Sequence, residues 1–384
     1  MRLLQLSQEQ ALNGQYKTNI TAAKNSLNSE EAILTSIGNV LQRVREIAVQ
    51  AGNGAQDSSD KRALATELAQ REDELLTLLN SRDANGKYLF SGSQGDMQPF
   101  VRNPDGTYSY QGDESQRQVQ IASSTFLSIS DSGKELFENI FNANRVKTDE
   151  VAGNTGTGRV SLGMVDDKLA YDRDFPASNP PSAGDGVGIH FLDMKNYVIY
   201  DPTATPDWSS YDPSFPPVWQ LSSGSIDSNE LTKDFIRYGG VSVILDGKPE
   251  AGDEFTINRN PDDEKRSLLN VVSDLRNALQ NSSNSAEGNM AIRDATGVAL
   301  SNLDAVSNQV LKVRGQIGAR LNTIDSTETF IEDVSLVNTG VISDLQDLDY
   351  AEAISRLSMQ STILQAAQQS YVKVSGLSLF NFLG

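Results

Sequence analysis

The sequence predicts an α+β chain: an elongated antiparallel α-helical rod formed by both chain ends, carrying β hairpins and an inserted central β domain. Three observations predict it. Near both ends, apolar residues recur on alternating three- and four-residue steps, the period of helices that pack on helices. Between the ends, apolar residues fall in short runs bounded by turn residues. Residues from about 141 to 260 hold most of the 12 prolines, both tryptophans and many of the 11 tyrosines.

Each element follows from its local pattern. Ile20, Ala23, Leu27, Leu34, Ile37, Leu41, Val44 and Ala48 form one helical seam, interrupted by Glu30. The seam stops at Ala51-Gly52-Asn53-Gly54, where glycine and asparagine permit a helix end. Asp57-Ser58-Ser59-Asp60 offers a cap for a second helix carrying Leu64, Leu68, Leu75, Leu78 and Leu79, expected to end at Asn85-Gly86. Helix, short turn, helix implies an antiparallel hairpin. Strands are then expected at Tyr88-Leu89-Phe90, at Phe100-Val101 and Tyr108-Ser109-Tyr110 around the turn Asn103-Pro104-Asp105-Gly106, at Val119-Gln120-Ile121, and at Phe126-Leu127-Ser128-Ile129. In the middle region, Val187–Phe191, Tyr197–Tyr200, Val241–Leu245 and Glu254–Ile257 read as strands, with Asp246-Gly247 as a hairpin turn between the last two. Asp201–Val218 reads as a long surface loop.

Helix returns after residue 262. Leu268, Val271, Val272, Leu275 and Leu279 make Ser267–Gln280 amphipathic, and Asn281–Asn289 reads as a polar loop. A long seam follows through Ile292, Ala299, Leu303, Val306, Val310, Val313, Ile317, Ile324, Ile331, Val334, Val341, Leu345 and Leu348, with Thr296, Arg320, Thr327 and Asn338 as polar interruptions. Gly315 and Gly318 each cost about 1 kcal/mol against alanine there, so close approach of a neighbouring helix is expected to compensate. Asp347-Leu348-Asp349 is expected to cap a last helix through Ile354, Leu357, Leu364, Ala367, Tyr371 and Val374. The tail beyond it, from Gly376 to Gly384, is apolar and uncharged, a composition that favours association. The expected organisation is 1–140, the N-terminal half of the rod with its hairpins; 141–262, the inserted β domain; 263–346, the C-terminal half of the rod; and 347–384, a terminal assembly helix.

Composition narrows the chemistry. With 384 residues, Lys+Arg 32 and Asp+Glu 51, the formal net charge is -19, which repels nucleic acid and anionic membrane. No stretch is apolar enough for a membrane span, and the N-terminus lacks the apolar core of a signal peptide, so export would use another route. Cysteine is absent, which excludes disulfides, thiolate metal sites and cysteine nucleophiles. The single histidine, His190, reads as a strand residue. Ser132-Gly133-Lys134 fails as a phosphate loop, because Ser128 stands where the first glycine is required and Glu135 follows the lysine. Gly184-Asp185-Gly186-Val187-Gly188 lacks dinucleotide spacing. Asp262-Asp263-Glu264 reads as favourable charge before a helix rather than a metal site. No catalytic, cofactor or metal residue is assigned, and an enzyme is not expected.

Several stretches resemble a known family. Arg43-Val44-Arg45-Glu46-Ile47-Ala48-Val49-Gln50-Ala51-Gly52-Asn53-Gly54 resembles the N-terminal helical signature of bacterial flagellins and of the flagellar hook-associated protein 3 family, the hook–filament junction proteins. Gly86-Lys87-Tyr88-Leu89-Phe90-Ser91-Gly92, with Pro99-Phe100, Asp105-Gly106 and Tyr110-Gln111-Gly112-Asp113 after it, resembles the junction family. So do Gly318-Ala319-Arg320-Leu321-Asn322, Asp349–Leu357 and the ending Leu377-Ser378-Leu379-Phe380. The matches cover both helical arms and leave out the middle. The resemblance implies a secreted, extracellular structural subunit at the junction of a bacterial flagellum. It implies a ring of copies between hook-associated protein 1 and flagellin, a dedicated export chaperone that binds the C-terminal region, and no nucleic-acid or membrane partner. It also implies a further segment before Leu3-Leu4-Gln5-Leu6 that pairs with the C-terminal helix. With the rod helix beginning almost at once, the helix from Asp349 onward is expected to be mobile or packed in a non-assembled way. The partner-binding residues expected are Leu357, Leu364, Tyr371, Leu377, Leu379, Phe380, Phe382 and Leu383. Two other readings stay open: a flagellin filament subunit, and a surface adhesin whose Trp208, Trp219 and Tyr211 contact sugar.

Overall fold

The computed structural model describes residues 2–53, 56–178, 185–227, 233–346 and 350–376. Two helices come first, α1 (Arg2–Ala51) and α2 (Ser58–Leu79), followed by four short strands, β1 (Phe100–Arg102), β2 (Tyr108–Tyr110), β3 (Gln118–Ala122) and β4 (Thr125–Ser128). Next come β5 (Ile140–Phe141), β6 (Val146–Glu150), β7 (Arg159–Val160), β8 (Met164–Val165) and a short helix α3 (Lys168–Asp174). The β region continues with β9 (Gly186–Phe191), β10 (Asn196–Tyr200), β11 (Gln220–Ser225), β12 (Asp234–Tyr238), β13 (Val241–Asp246), β14 (Glu254–Arg259) and β15 (Lys265–Arg266). Helices close the chain: α4 (Leu268–Gln280), α5 (Ala286–Gln346) and α6 (Tyr350–Gly376).

The chain divides into two compact units, Met1–Ile20 with Ile121–Ser124 and Ile324–Gly384, and Thr21–Gln120 with Thr125–Thr323. In the second unit, the seam residues Leu27, Leu34, Ile37, Leu41, Val44 and Ala48 of α1 are buried, as are Ile292, Ala299, Leu303, Val306, Val310, Val313 and Ile317 of α5. Ion pairs between Glu31 and Arg314 (2.8 Å) and between Arg45 and Asp304 fix the two helices antiparallel. In the first unit, Gln10 donates to Ser335 (2.6 Å) and Lys17 pairs with Glu332 (3.1 Å), the same antiparallel sense. Here the seam thins: Ile324 and Ile331 are buried, whereas Leu345 is exposed.

The polar interruptions of the two seams meet. Glu30 is fully buried and accepts the Asp131 backbone N–H (3.1 Å). Asp131 in turn holds Arg320 with two bonds of 2.8 and 2.9 Å. Desolvation, with Asp131 adding to it, pushes the Glu30 carboxyl up to about 8, against the lowering pull of Arg320 and Arg117.

The β region contains two sheets with one shared core. A five-stranded antiparallel sheet runs β11-β10-β9-β14-β6, and a second runs β12-β13-β7 with β8 also on β13. Val187, Ile189, Phe191, Ile199, Phe255 and Ile257 of the first pack with Ile236, Val241, Val243 and Leu245 of the second and with Tyr171 and Phe175 around α3. β5 and β15 pair at the neck of the insert, Phe141 opposite Lys265.

Several local expectations are corrected. α2 ends at Leu79, because the Asn80 amide exchanges hydrogen bonds with the Phe100 backbone (2.9 and 3.0 Å) and turns the chain. Tyr88 makes only an isolated bridge with Arg82, so 88–90 is not a strand. Asp246-Gly247 does not join a hairpin: β13 is occupied by β12, β7 and β8, β14 by β9 and β6, so the turn crosses between sheets. The loop at 281–289 is shorter, because the Ser285 hydroxyl accepts from Gly288 N–H and α5 starts at Ala286. α4 is capped by Ser267, with Asp262-Asp263-Glu264 outside its first turn. Apart from the helix's own backbone, no atom of the described residues comes within 4 Å of where a Cβ would stand at Gly315 or Gly318, so no other described helix approaches them. Asp347-Leu348-Asp349 lies outside the described residues. Among the described residues, no helix is long and apolar enough to cross a membrane and no cluster of three metal-ligating side chains occurs.

Candidate assembly surface

α6 is a helix for local reasons. The good helix formers Ala, Gln, Leu and Met supply eleven of its 27 residues, proline is absent, and glycine enters only at its last residue. Glu352 sits in the first turn and Lys373 in the last, each complementing the helix dipole, and Glu352 pairs with Arg356 one turn on (2.6 Å). Between Arg356 and Lys373 the helix carries no charge, in a chain that is 22% charged.

Every side chain from Ile354 to Lys373 is exposed. Leu357 (67%), Leu364 (59%) and Tyr371 (75%) stand seven residues apart, on one face. Met359, Ile363 and Val372 are equally exposed and lie off that face. A reading confined to the seven-residue spacing passes over these three; the uncharged run is the signal that reveals them. A helix with large apolar side chains on several faces and no charge to keep any face wet is suited to burial on more than one side. Leu377, Leu379, Phe380, Phe382 and Leu383 lie outside the described residues.

The aromatic residues named for a sugar site do come together, but on one another. The Trp208 ring lies flat on His190 (3.7 Å, 3°), and Trp219, Tyr200 and Tyr211 pack around Trp208 at 4.9, 5.2 and 5.9 Å. His190 Nδ1 meets Glu254 at 2.8 Å. Burial pushes the Tyr200 hydroxyl up to about 12. Trp208, Tyr211 and Trp219 stay partly exposed within this cluster.

Two buried-seam helices from the chain ends, an exposed last helix uncharged between Arg356 and Lys373, and an antiparallel β insert define a flagellin-like structural protein. Residues 2–95 match the bacterial flagellin N-terminal helical region and residues 300–383 the bacterial flagellin C-terminal helical region. Flagellar hook-associated protein 3 of Escherichia coli is 25% identical over 98% of this chain and 83% of its own. The crystal structure of flagellar hook-associated protein-3 from Legionella pneumophila superposes with a TM-score of 0.70 at 27% identity, covering 90% of this chain and 99% of that one. FlgL of Xanthomonas campestris gives 0.66 at 25% identity, covering 87% and 98%. Matches to flagellins are partial. Within the flagellin-like class, the chain is similar over most of its length to hook-associated protein 3.

Proposed function

We propose that this chain is a structural junction subunit of the bacterial flagellum, linking hook and filament by helix packing between subunits. The observation that carries the reading is α6: a long helix, uncharged between Arg356 and Lys373, with its large apolar side chains exposed. Burying each such side chain against a neighbour is worth about 1.5–3 kcal/mol, so a handful suffices for a specific contact. The contact residues are Leu357, Leu364 and Tyr371, continued by Leu377, Leu379, Phe380, Phe382 and Leu383. The partners are other copies of this chain in a ring, hook-associated protein 1 on one side, flagellin on the other, and an export chaperone for the C-terminal region before assembly. The place is outside the cell, at the hook–filament junction. Residues 1–140 and 263–346 supply the helical body, 141–262 the insert and 347–384 the assembly helix.

The test is complementation of a flagellated strain that lacks its own junction protein. Leu364→Asp with Phe380→Asp is expected to be secreted, to keep the far-ultraviolet circular dichroism of the helical body, and to leave hooks without filaments. Normal filaments on that strain would refute the assignment of α6. Seeded polymerisation addresses the flagellin reading: the intact chain is expected not to extend filament seeds by itself.

A further inference from the structure

The β insert carries a cationic patch at one edge of its five-stranded sheet. The Phe141 ring, at the end of β5, is exposed, with Lys168 Nζ 4.6 Å, the Arg145 guanidinium 5.5 Å and Lys265 Nζ 5.9 Å from its centroid. Arg145 immediately precedes β6, the edge strand. Its side chain is nearly buried, lies 4.8 Å over Tyr171, and among the described residues has no carboxylate within ion-pair distance; the same holds for Lys265. Arg259, also over Tyr171 (4.3 Å), gives its N–H groups to the carbonyls of Pro176, Tyr171 and Phe175. Asp172 and Glu264 act on Arg145 from a distance, and Asp172 is engaged by Lys168. Two cations without a carboxylate partner are unexpected in a chain with a net charge of -19. Arg145 is already buried, so the accessible charge without a carboxylate partner is Lys265, beside the exposed Phe141 ring.

The loop 201–219, between β10 and β11, carries the complement; it folds back so that its Trp208 lies on His190 of β9. Within that loop, Asp201, Asp207 and Asp212 accept from Thr203, from Ser209 and Ser210, and from Ser214 N–H, with no lysine or arginine in ion-pair distance among the described residues. Hydrogen bonds from Ser209 and Ser210 hold the Asp207 carboxyl below its ordinary value, so it is charged. Phe215 is 80% exposed and Val218 fully so.

We infer that the β inserts of neighbouring copies meet, the acidic, Phe215-bearing loop of one copy seating on the exposed Phe141–Lys265 patch of the next. Such a contact uses two different surfaces, so it is heterologous and propagates around a closed ring. The inference rests on the proposed junction role. It adds a contact made by the insert, separate from the terminal helix.

Carbodiimide coupling tests it, because that reagent joins only amines and carboxylates already in contact. An amide counts as a contact between copies only where it is recovered from the crosslinked dimer and is missing from the monomer of the same sample. Isolated hook–filament complexes treated this way are expected to yield, by mass spectrometry, an amide from Lys168 or Lys265 to Asp201, Asp207 or Asp212. Lys265→Glu is expected to reduce crosslinked oligomers at least several-fold, and Lys265→Glu with Asp212→Lys to restore them. If the chain is present in the complexes and crosslinks elsewhere but never between these groups, the contact between inserts is refuted and the junction reading stands. If the chain is absent from the complexes, both fail.

Discussion

Glu30 interrupts an otherwise apolar seam, and its environment gives that interruption a measurable consequence. Burial raises its carboxyl from the ordinary 4.5 to about 8. Between those values the unfolded chain has released the proton and the folded chain still holds it. The contribution of Glu30 to stability therefore falls as pH rises from about 4.5 to 8 and is level above that window. Glu30→Gln keeps an oxygen for the Asp131 N–H and removes the titration. The variant is expected to match the parent near pH 5 and to exceed it at pH 8.5 by on the order of 1–3 kcal/mol, read from urea unfolding at the two pH values. Equal pH slopes in the two proteins would show that Glu30 is not protonated when folded. Arg320 stands at the other end of the same cluster. Arg320→Ala leaves the Asp131 carboxylate, 7% exposed, without its bidentate partner. The expected loss is about 3–5 kcal/mol in the same unfolding experiment.

At the scale of elements, the glycines of α5 separate two explanations. Gly315 and Gly318 face open space and have no positive φ, so an added methyl meets nothing among the described residues beyond the helix's own backbone. Gly315→Ala and Gly318→Ala are each expected to stabilise the isolated protein by about 0.5–1 kcal/mol in urea unfolding. If the stabilised variants then fail to support filaments, the open space is filled by a neighbour in the assembled flagellum. These positions also mark where the sequence was legible. The seams of α1 and α5 repeat a local period, so Leu27, Leu41, Val310 and Ile317 could be placed in the core from spacing alone. The α6 face through Leu357, Leu364 and Tyr371 was legible for the same reason. Strand existence was legible in β9, β10, β13 and β14, but strand partners were not. Asp246-Gly247 has the chemistry of a hairpin turn, yet which edge β13 offers is decided by β7, some 80 residues earlier. Likewise nothing local in Glu30 or Arg320 announces Asp131, which lies 101 residues from one and 189 from the other.

At the scale of the molecule, the question is whether the β insert is a free appendage or part of the unit to which it is attached. The chain enters and leaves it through the paired strands β5 and β15, a narrow neck. Two further contacts tie it to α5. Asn302 accepts the Ala143 N–H (2.7 Å) and donates to Asn142 (3.0 Å). One turn of sheet away from the neck, Arg293 grips Asp246 with two bonds of 2.7 Å, and Asp294 accepts Leu162 N–H. Desolvation pushes the Asp294 carboxyl up, against the pull of Arg293, so this clamp is partly dry and stronger than a surface pair. Residues of the insert and of the helices accordingly fall in one compact unit, Thr21–Gln120 with Thr125–Thr323. Contacts of this kind couple the melting of the parts they join. The parent chain is expected to lose the insert and its helices in a single calorimetric transition. Arg293→Leu combined with Asp294→Ala and Asn302→Ala removes these ties and leaves the neck, and is expected to split that transition into two, the lower one reported by Trp208 and Trp219 fluorescence. A single undivided transition in the triple variant would mean that the neck and the buried helical seams carry the coupling.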